Sequence, residues 1–285
     1  MSAAFRCLVC HGGEAELVYA RCRDYYLGTP FRVDYVRCRA CRLLQQSPVP
    51  EDVAPFYRAY PVHAPKSKLY SALRQLVMSR VYYDAGRHPA GTAVLDYGCG
   101  DGGYLETLSG RGFLLQGYEQ DPAQAARVAE RLGIPVHSDL EALLASEART
   151  LDVLTLHMVL EHLQDPDEAL AAARHLLKPG GVLYVVVPHH DSLEARLFGR
   201  KWHNLDPPRH VSFPDVAHVR GLADRHGLTL ARHAPVPFPN GFAASLPVVL
   251  SGRFRFPLFA LALPLGVAWS RLVPTGSHAY WLSRQ

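Results

Sequence analysis

The sequence predicts an α/β protein built on a doubly wound, Rossmann-like sheet, with a small N-terminal ribbon and an apolar C-terminal cap. The buried strand Val94–Tyr97 runs into a glycine loop at Gly98–Gly103, and strand and helix patterns alternate from Thr92 onwards. Ahead of them, two Cys-x-x-Cys pairs, Cys7 to Cys10 and Cys38 to Cys41, indicate a metal-stapled lobe. Alternation of strand and helix is typical of a parallel sheet that helices cover on both faces.

The four paired cysteines predict a structural zinc site. Two Cys-x-x-Cys pairs place four thiolates where one tetrahedral Zn²⁺ can take all of them, which closes its coordination shell and excludes a catalytic role. Cys10 is followed by His11 and Cys41 by Arg42, where such ribbons usually have glycine. The alternatives are a disulfide pair or incidental cysteines; the lack of a signal-peptide pattern and the isolated positions of the other two cysteines, Cys22 and Cys99, argue against them.

A chain of 285 residues is long enough to bury one large core and an accessory lobe. Changes in composition along it predict four segments. The segments are a zinc ribbon at 1–50, a helical linker or cap at 51–90, an α/β domain at 91–235, and a hydrophobic C-terminal cap with a final strand at 236–285.

Local patterns predict the individual elements. Apolar runs predict strands, and Asp-Pro pairs predict helix starts, because Asp caps a helix and Pro fits its first turn. Apolar residues at helical spacing predict a further helix over Lys68–Ala85. The predicted strands are Val94–Tyr97, Leu114–Tyr118, Ile134–His137, Leu151–Leu156, Val182–Val187 and Ala279–Leu282; helices start at Asp121–Pro122 and Asp165–Pro166, and Lys178–Gly181 ends the second of these.

Composition narrows the class of partner. The net charge of +4 is mild for this length and requires no polyanionic partner. The ribbon carries only a modest excess of arginine over acids, so nucleic-acid binding is not expected. No hydrophobic targeting run opens the chain, and a cytoplasmic protein is expected. The apolar run Phe256–Trp269 is too short to span a bilayer. It predicts a cap or dimer surface, or alternatively a peripheral contact of 242–273 with a membrane or lipid-like substrate.

The glycine loop predicts a nucleotide-like cofactor. Gly98, Gly100 and Gly103 match G-x-G-x-x-G, and Glu119 ends the next strand where a dehydrogenase binds ribose, so an NAD-dependent oxidoreductase is one interpretation. However, Asp96 lies two residues before the first glycine. A carboxylate there would repel a pyrophosphate but attract the ammonium group of a methionine moiety.

The ordered motifs resemble those of class I S-adenosylmethionine-dependent methyltransferases. They are Leu95–Tyr104, Glu119, Asp152–Pro166 and Leu176–Gly181. The ribbon and the segments Ser192–Trp202 and Leu205–His210 resemble a bacterial subfamily that carries a zinc ribbon and is often encoded with glycan or natural-product pathways.

The resemblance implies S-adenosylmethionine and structural Zn²⁺ as cofactors, and it implies a set of cofactor contacts. Glu119 can accept both ribose hydroxyls, and His157 should lie beside the methionine portion. Asp139 could face the adenine amino group, or it could only cap the next helix. The residues expected to bind the cofactor are Asp96, Gly98, Cys99, Gly100, Tyr104, Glu119, Gln120, Asp139 and His157.

Histidines at the carboxyl ends of strands are the candidate bases, because histidine suits proton transfer at neutral pH. His210 is the first candidate, and His157 and His189 follow; alternatively, His210 only braces its loop. Trp202, Arg209 and His210 are expected to bind the acceptor, with Arg209 suited to an anionic group. The Glu161–His162 pair is expected to have a capping or structural role.

The predicted function is therefore methyl transfer to a small-molecule acceptor, such as a sugar, a lipid-linked compound or a natural-product intermediate. O-methylation is the first choice and C-methylation of a nucleotide-sugar or similar metabolite the second. An RNA methyltransferase that uses the ribbon to bind nucleic acid, and a non-catalytic cofactor-binding module, are the alternatives from other classes. The acceptor and the oligomeric state do not follow from the sequence.

Overall fold

The large sheet confirms the predicted α/β fold class. The computed structural model describes residues 5–57, 78, 81–273 and 276–285. In this part of the chain, seven strands form one sheet in the order β10-β11-β8-β7-β4-β5-β6. The strands from β8 to β6 in this order run parallel, and β11 and β10 extend that sheet antiparallel. The bounds are β4 Ala93–Tyr97, β5 Leu114–Tyr118, β6 Val136–His137, β7 Leu151–His157, β8 Leu177–Pro188, β10 Leu228–Pro235 and β11 Ser277–Arg284.

Helices follow the parallel strands, as the alternating pattern predicts. Both predicted Asp-Pro starts are confirmed: Asp121 accepts from the Ala123 and Gln124 N–H groups, and Asp165 caps its helix in the same way. The helices are α1 Ala54–Tyr57, α2 Gly103–Leu108, α3 Pro122–Leu132, α4 Leu140–Ser146, α5 Pro166–Leu176, α6 Leu193–Phe198, α7 Val216–Arg225, α8 Asn240–Ser251 and α9 Phe256–Leu272.

Two predicted strands have other bounds in the structure, and one predicted helix lies mostly outside the described residues. The third predicted strand, Ile134–His137, is reduced to the two residues of β6. The predicted helix end just before Lys178 is confirmed, because α5 ends at Leu176; the following strand β8, however, begins at Leu177 and not at Val182, so it includes Lys178–Gly181. Most of the predicted helix Lys68–Ala85 lies outside the described residues, and its described end at 81–84 is turn and loop.

A second, antiparallel sheet joins the N-terminal segment to the rest of the chain. Its order is β1-β2-β3-β9, with β1 Ala15–Arg23, β2 Arg32–Cys38, β3 Leu44–Ser47 and β9 Ser212–Phe213. The last strand comes from the segment after β8, and its Phe213 pairs with Leu44. The ribbon is therefore completed by a strand that lies more than 160 residues later in the chain.

The C-terminal segment forms a helical hairpin of α8 and α9 before the chain returns as β11. Gly266 of α9 allows close contact, because a Cβ there would lie 2.6 Å from the Pro239 carbonyl oxygen and 2.8 Å from the Ala243 Cβ. Within the described ranges, no helix combines the length and the apolar character that a membrane span requires.

Candidate functional site

The glycine loop sits between the carboxyl end of β4 and the start of α2. Gly98 and Gly100 have φ values of +71° and +56°, which favour glycine. A Cβ at Gly98 would lie 2.7 Å from Val159 Cγ2, so only glycine lets the loop pack against the segment after β7. The N–H groups of Gly98 and Cys99 donate to the Tyr118 carbonyl, which fixes the loop against β5.

Glu119 lies at the end of β5 and closes the other side of the loop. Its Oε2 accepts from the Gly100 N–H at 3.0 Å, and its Oε1 accepts from the Asp121 N–H at 3.0 Å. These bonds hold the carboxylate at the carboxyl edge of two neighbouring strands, where doubly wound sheets bind their ligands.

Asp96 and His157 form a buried pair at the ends of β4 and β7. Asp96 Oδ1 lies 2.7 Å from the Thr155 hydroxyl and 3.0 Å from His157 Nδ1. The opposite ring nitrogen, Nε2, accepts from the Tyr83 backbone N–H at 3.1 Å. This arrangement fixes the tautomer, with the proton on Nδ1 and the lone pair of Nε2 already occupied.

Aromatic rings enclose His157. Its ring centroid lies 4.5 Å from that of Tyr104, 5.1 Å from Tyr82 and 5.5 Å from Tyr184. These contacts hold the imidazole ring in place at the carboxyl edge of the sheet.

The remaining predicted cofactor residues lie around the same loop with different roles. Cys99 turns its thiol into the core beside Gly117, and burial raises its pKa, so its contribution there is a backbone one. Asp139 caps α4 through the Ala142 N–H, which confirms the helix-cap alternative for that residue. Gln120 is exposed directly after β5.

The structure contradicts the prediction that Arg209 binds an anionic acceptor. Its side chain is fully buried, and its guanidinium donates to both carboxylates of Asp24 and Asp206 at distances from 2.5 to 3.1 Å. Burial alone would raise the pKa of Asp206, but the positive charge of Arg209 lowers it to about 2. Arg209, Asp24 and Asp206 thus form a buried ion centre between the ribbon and the loop 199–213. We call this loop the insertion loop.

Trp202 also packs away from the predicted acceptor site. Its indole is buried with Tyr35 of the ribbon and with Leu205 and Phe213. The prediction of acceptor binding is therefore wrong for Trp202 in this arrangement, because its ring fills the joint between the ribbon and the insertion loop.

His210 of the insertion loop lies beside the buried acid Glu161. Its Nδ1 lies 2.6 Å from the Asn204 carbonyl, so Nδ1 donates and Nε2 carries the lone pair. That Nε2 lies 3.9 Å from Glu161 Oε1. Burial lowers the pKa of His210 to about 3, and a neutral imidazole is expected at pH 7. His189, by contrast, stacks on His278 at a centroid distance of 4.1 Å.

After β7 lies the Glu161–His162 pair, for which a capping or structural role is predicted; Glu161 is fully buried and His162 is partly buried. Glu161 and His162 form a 3₁₀ turn after β7, and Glu161 caps no helix. Its carboxylate is fully buried, and neither oxygen has a hydrogen-bond partner among the described residues. Nothing in the sequence alone indicates that this acid is buried, although a buried charge needs a partner.

The four ribbon cysteines converge as predicted. Their sulfur atoms lie within 4.8 Å of one another, with 3.5 Å between Cys7 and Cys41 and between Cys10 and Cys38. Thiolates on a tetrahedral zinc ion lie about 3.8 Å apart, so the donor set fits Zn²⁺. All four are free cysteines, which argues against the disulfide alternative.

Comparison with known proteins decides the family. The model of a family described as a methyltransferase domain matches residues 69–233, more than half of the chain. The chain belongs to this methyltransferase family. The predicted class, the class I S-adenosylmethionine-dependent methyltransferases, is thereby confirmed. The match begins after the ribbon, so membership of the zinc-ribbon subfamily stays a prediction.

Similar curated proteins include O-methyltransferases. The chain is 36% identical over 110 residues to a ubiquinone biosynthesis O-methyltransferase of Burkholderia orbicola. The aligned stretch covers 36% of this chain and 47% of that protein. The chain is 32% identical over 182 residues to an uncharacterised 37.1 kDa protein in a Streptomyces fradiae transposon, which covers 61% and 50%. The chain thus spans about half the length of the curated relatives it matches.

A solved structure supports the fold. Phosphoethanolamine N-methyltransferase 2 of Haemonchus contortus, in complex with phosphomonomethylethanolamine and S-adenosylhomocysteine, superposes with a TM-score of 0.53 at 13% identity. The superposition covers 85% of this chain and 62% of that chain. At this identity the likeness extends to the fold alone.

Replacing Arg209 with Met should lower the free energy of unfolding by about 3–5 kcal/mol, because two carboxylates would stay buried without their cation. Arg225→Met is the matched control, since Arg225 pairs with Asp167 at the surface and should cost less than about 1 kcal/mol. Urea denaturation measures both. An Arg209→Met protein within 1 kcal/mol of wild type would contradict the structural role.

Replacing Cys38 with Ser should remove about one equivalent of zinc per chain from the purified protein and loosen the ribbon, because one of four thiolates is lost. Metal analysis and limited proteolysis of the N-terminal segment are the measurements. Cys22→Ser is the control, because Cys22 is buried in the ribbon outside the cysteine cluster. Equal zinc contents in the two variants would refute the assignment.

Proposed function

We propose that this chain transfers the methyl group of S-adenosylmethionine to a hydroxyl group of a small, lipid-like or lipid-linked acceptor. The observation that carries the cofactor part is the placement of Asp96 and Glu119 at the ends of neighbouring strands, on either side of the glycine loop. The names of the curated relatives support O-methylation. The ribbon would act as a structural module that holds the insertion loop.

The two carboxylates would contact different parts of the cofactor. Glu119 would accept hydrogen bonds from the ribose hydroxyls, while Asp96 would attract the ammonium group of the methionine moiety. The bound cofactor supplies an electrophilic methyl group on a sulfonium. Tyr104 and His157 would face that cation with their rings. The chain itself contributes alignment of the acceptor and exclusion of water.

Among the three candidate bases, His210 ranks first for the position of its Nε2 lone pair, although burial lowers its pKa to about 3 and so makes it a weak base at neutral pH. Both ring nitrogens of His157 are engaged, one by Asp96 and one by the Tyr83 N–H, so His157 fits a positioning role. His210 keeps a lone pair on Nε2, beside the segment that packs on the glycine loop. His189 lies in a stack of histidines on β8 and β11 and ranks third.

Replacing Glu119 with Ala should weaken S-adenosylmethionine binding by about 1–3 kcal/mol, because two charge-assisted hydrogen bonds would be lost. Isothermal titration calorimetry with S-adenosylmethionine and with NAD⁺ measures this. Glu130→Ala is the control, because Glu130 is an exposed acid on α3. Binding of NAD⁺ instead, or unchanged affinity in Glu119→Ala, would overturn the cofactor assignment.

An exposed apolar surface on the helical hairpin supports the proposal of a lipid-like or lipid-linked acceptor. Leu261, Leu265 and Leu272 of α9 are 60–84% exposed, and their spacing of four and seven residues puts them on one stripe. Leu250 at the end of α8 is 75% exposed. Residues 225–285 contain no Asp or Glu, and Arg253, Arg255 and Arg271 lie at the ends of the hairpin. An apolar stripe flanked by cations fits an anionic membrane surface.

The double variant Leu261→Ser and Leu265→Ser should bind vesicles of anionic phospholipid at least about tenfold more weakly than wild type, because less apolar surface inserts. Co-sedimentation with phosphatidylglycerol vesicles measures this, and neutral vesicles show the electrostatic share. Leu114→Ser, at an equally exposed leucine on β5, is the control. Equal vesicle binding by both variants, or dimerisation through the stripe seen by light scattering, would contradict membrane contact.

A further inference from the structure

Glu161, His162 and His210 form a second group of potential metal ligands, separate from the ribbon cysteines. One ligand atom from each of the three residues lies within 4.8 Å of the other two. Glu161 and His162 come from the turn after β7, and His210 comes from the insertion loop. Two segments that are distant in sequence therefore bring two imidazoles and a carboxylate together.

The hydrogen bonds of both histidines leave metal-binding lone pairs. His210 donates Nδ1–H to the Asn204 carbonyl at 2.6 Å. His162 Nδ1 faces the Arg209 carbonyl at 3.0 Å and the Tyr57 hydroxyl at 2.7 Å. A carbonyl only accepts, so Nδ1 of His210 carries the proton and its Nε2 keeps a lone pair. In His162, donation from Nδ1 to the Arg209 carbonyl leaves Nε2 as the metal-binding atom, whereas donation from the Tyr57 hydroxyl to Nδ1 would put the proton on Nε2; the proposed site uses the first form. Metal-bound histidines typically donate their other N–H to such oxygens, which orients the ring.

The carboxylate of Glu161 is otherwise unexplained. It is fully buried, and neither oxygen has a hydrogen-bond partner among the described residues. The nearest basic atom, His210 Nε2, lies at 3.9 Å from Oε1, which is beyond hydrogen-bond distance. A buried carboxylate is unfavourable unless it is paired or bound to a cation.

We propose that Glu161, His162 and His210 bind one divalent cation beside the methyl-transfer site. Two imidazoles and a carboxylate suit Zn²⁺, Mn²⁺ or Fe²⁺ and leave coordination positions open. Ligands of such an ion lie about 3–4 Å apart, so the side chains need to close by about 1 Å. The turn that carries Glu161 follows Val159, which packs against Gly98 of the cofactor loop.

The coordination positions left open on the cation could bind the acceptor. This role of the ion rests on the proposed O-methylation. An acceptor hydroxyl that binds the ion becomes more acidic, as water does on a catalytic metal. The site would therefore select acceptors with a hydroxyl group, or two adjacent ones, that can reach the cation. His210 would then act as a ligand and not as the free base of the proposed function. The methyl–sulfur bond would break as the methyl–oxygen bond forms, and the proton of the acidified hydroxyl would leave to bulk water.

Manganese binding tests the site without any turnover. Mn²⁺ is a poor partner for thiolates, so the zinc-loaded protein should take up about one equivalent of Mn²⁺ outside the ribbon. Titration with Mn²⁺, followed by electron paramagnetic resonance of the free ion, measures the uptake. Glu161→Gln and His210→Ala should each weaken Mn²⁺ binding by at least about tenfold.

Glu194→Gln is the matched control, because Glu194 is a second fully buried acid and lies away from the Glu161 group, beside Trp202, Trp269 and Gly276. It belongs to neither group of potential metal ligands and should keep wild-type Mn²⁺ binding. Circular dichroism confirms that each variant folds, and His210→Ala keeps the test valid if Glu161→Gln does not.

Absence of Mn²⁺ uptake by the wild-type protein would overturn the proposal, and Glu161 would then be a neutral buried acid. Equal uptake by wild type and both ligand variants would overturn it as well. Calorimetry with S-adenosylhomocysteine in the same samples separates this failure from failure of the proposed function. A protein that binds the nucleotide but no Mn²⁺ refutes only the cation site.

Discussion

The ion centre of Arg209 with Asp24 and Asp206 holds the two lobes of this protein in register. Asp24 comes from the ribbon, while Arg209 and Asp206 come from the insertion loop of the methyltransferase domain. Because all three side chains are buried, removing one partner would leave an uncompensated charge in the interior. The position of the neighbouring His210 therefore depends on a contact that only the ribbon can complete.

This dependence gives the ribbon a role within the site. Tyr35 and Gln46 of the ribbon reach across the joint and donate to the His210 carbonyl at 2.8 Å each. The cysteine cluster fixes the end of β2, and β2 carries Tyr35. A zinc ion bound by those cysteines would stabilise the ribbon sheet, which in turn holds the insertion loop. The zinc itself would take no part in methyl transfer.

The sequence predicted the features that depend on local rules. Glycine positions, Asp-Pro helix starts, buried strands and the cysteine spacing each follow from backbone geometry or ligand chemistry at short range, and the structure confirms them. The roles of Arg209 and Trp202 were mispredicted, because their partners Asp24 and Tyr35 lie more than 160 residues away. A single sequence does not reveal which acid a buried arginine will meet.

The central claim is that the loop between β4 and α2 holds S-adenosylmethionine between Asp96 and Glu119. A crystal structure of the protein with bound S-adenosylhomocysteine tests it most directly. We expect both ribose hydroxyls within hydrogen-bond distance of the Glu119 carboxylate, with the amino-acid portion beside Asp96 and the sulfur near the rings of Tyr104 and His157. A nucleotide bound elsewhere, or with its ribose turned away from Glu119, would contradict the account.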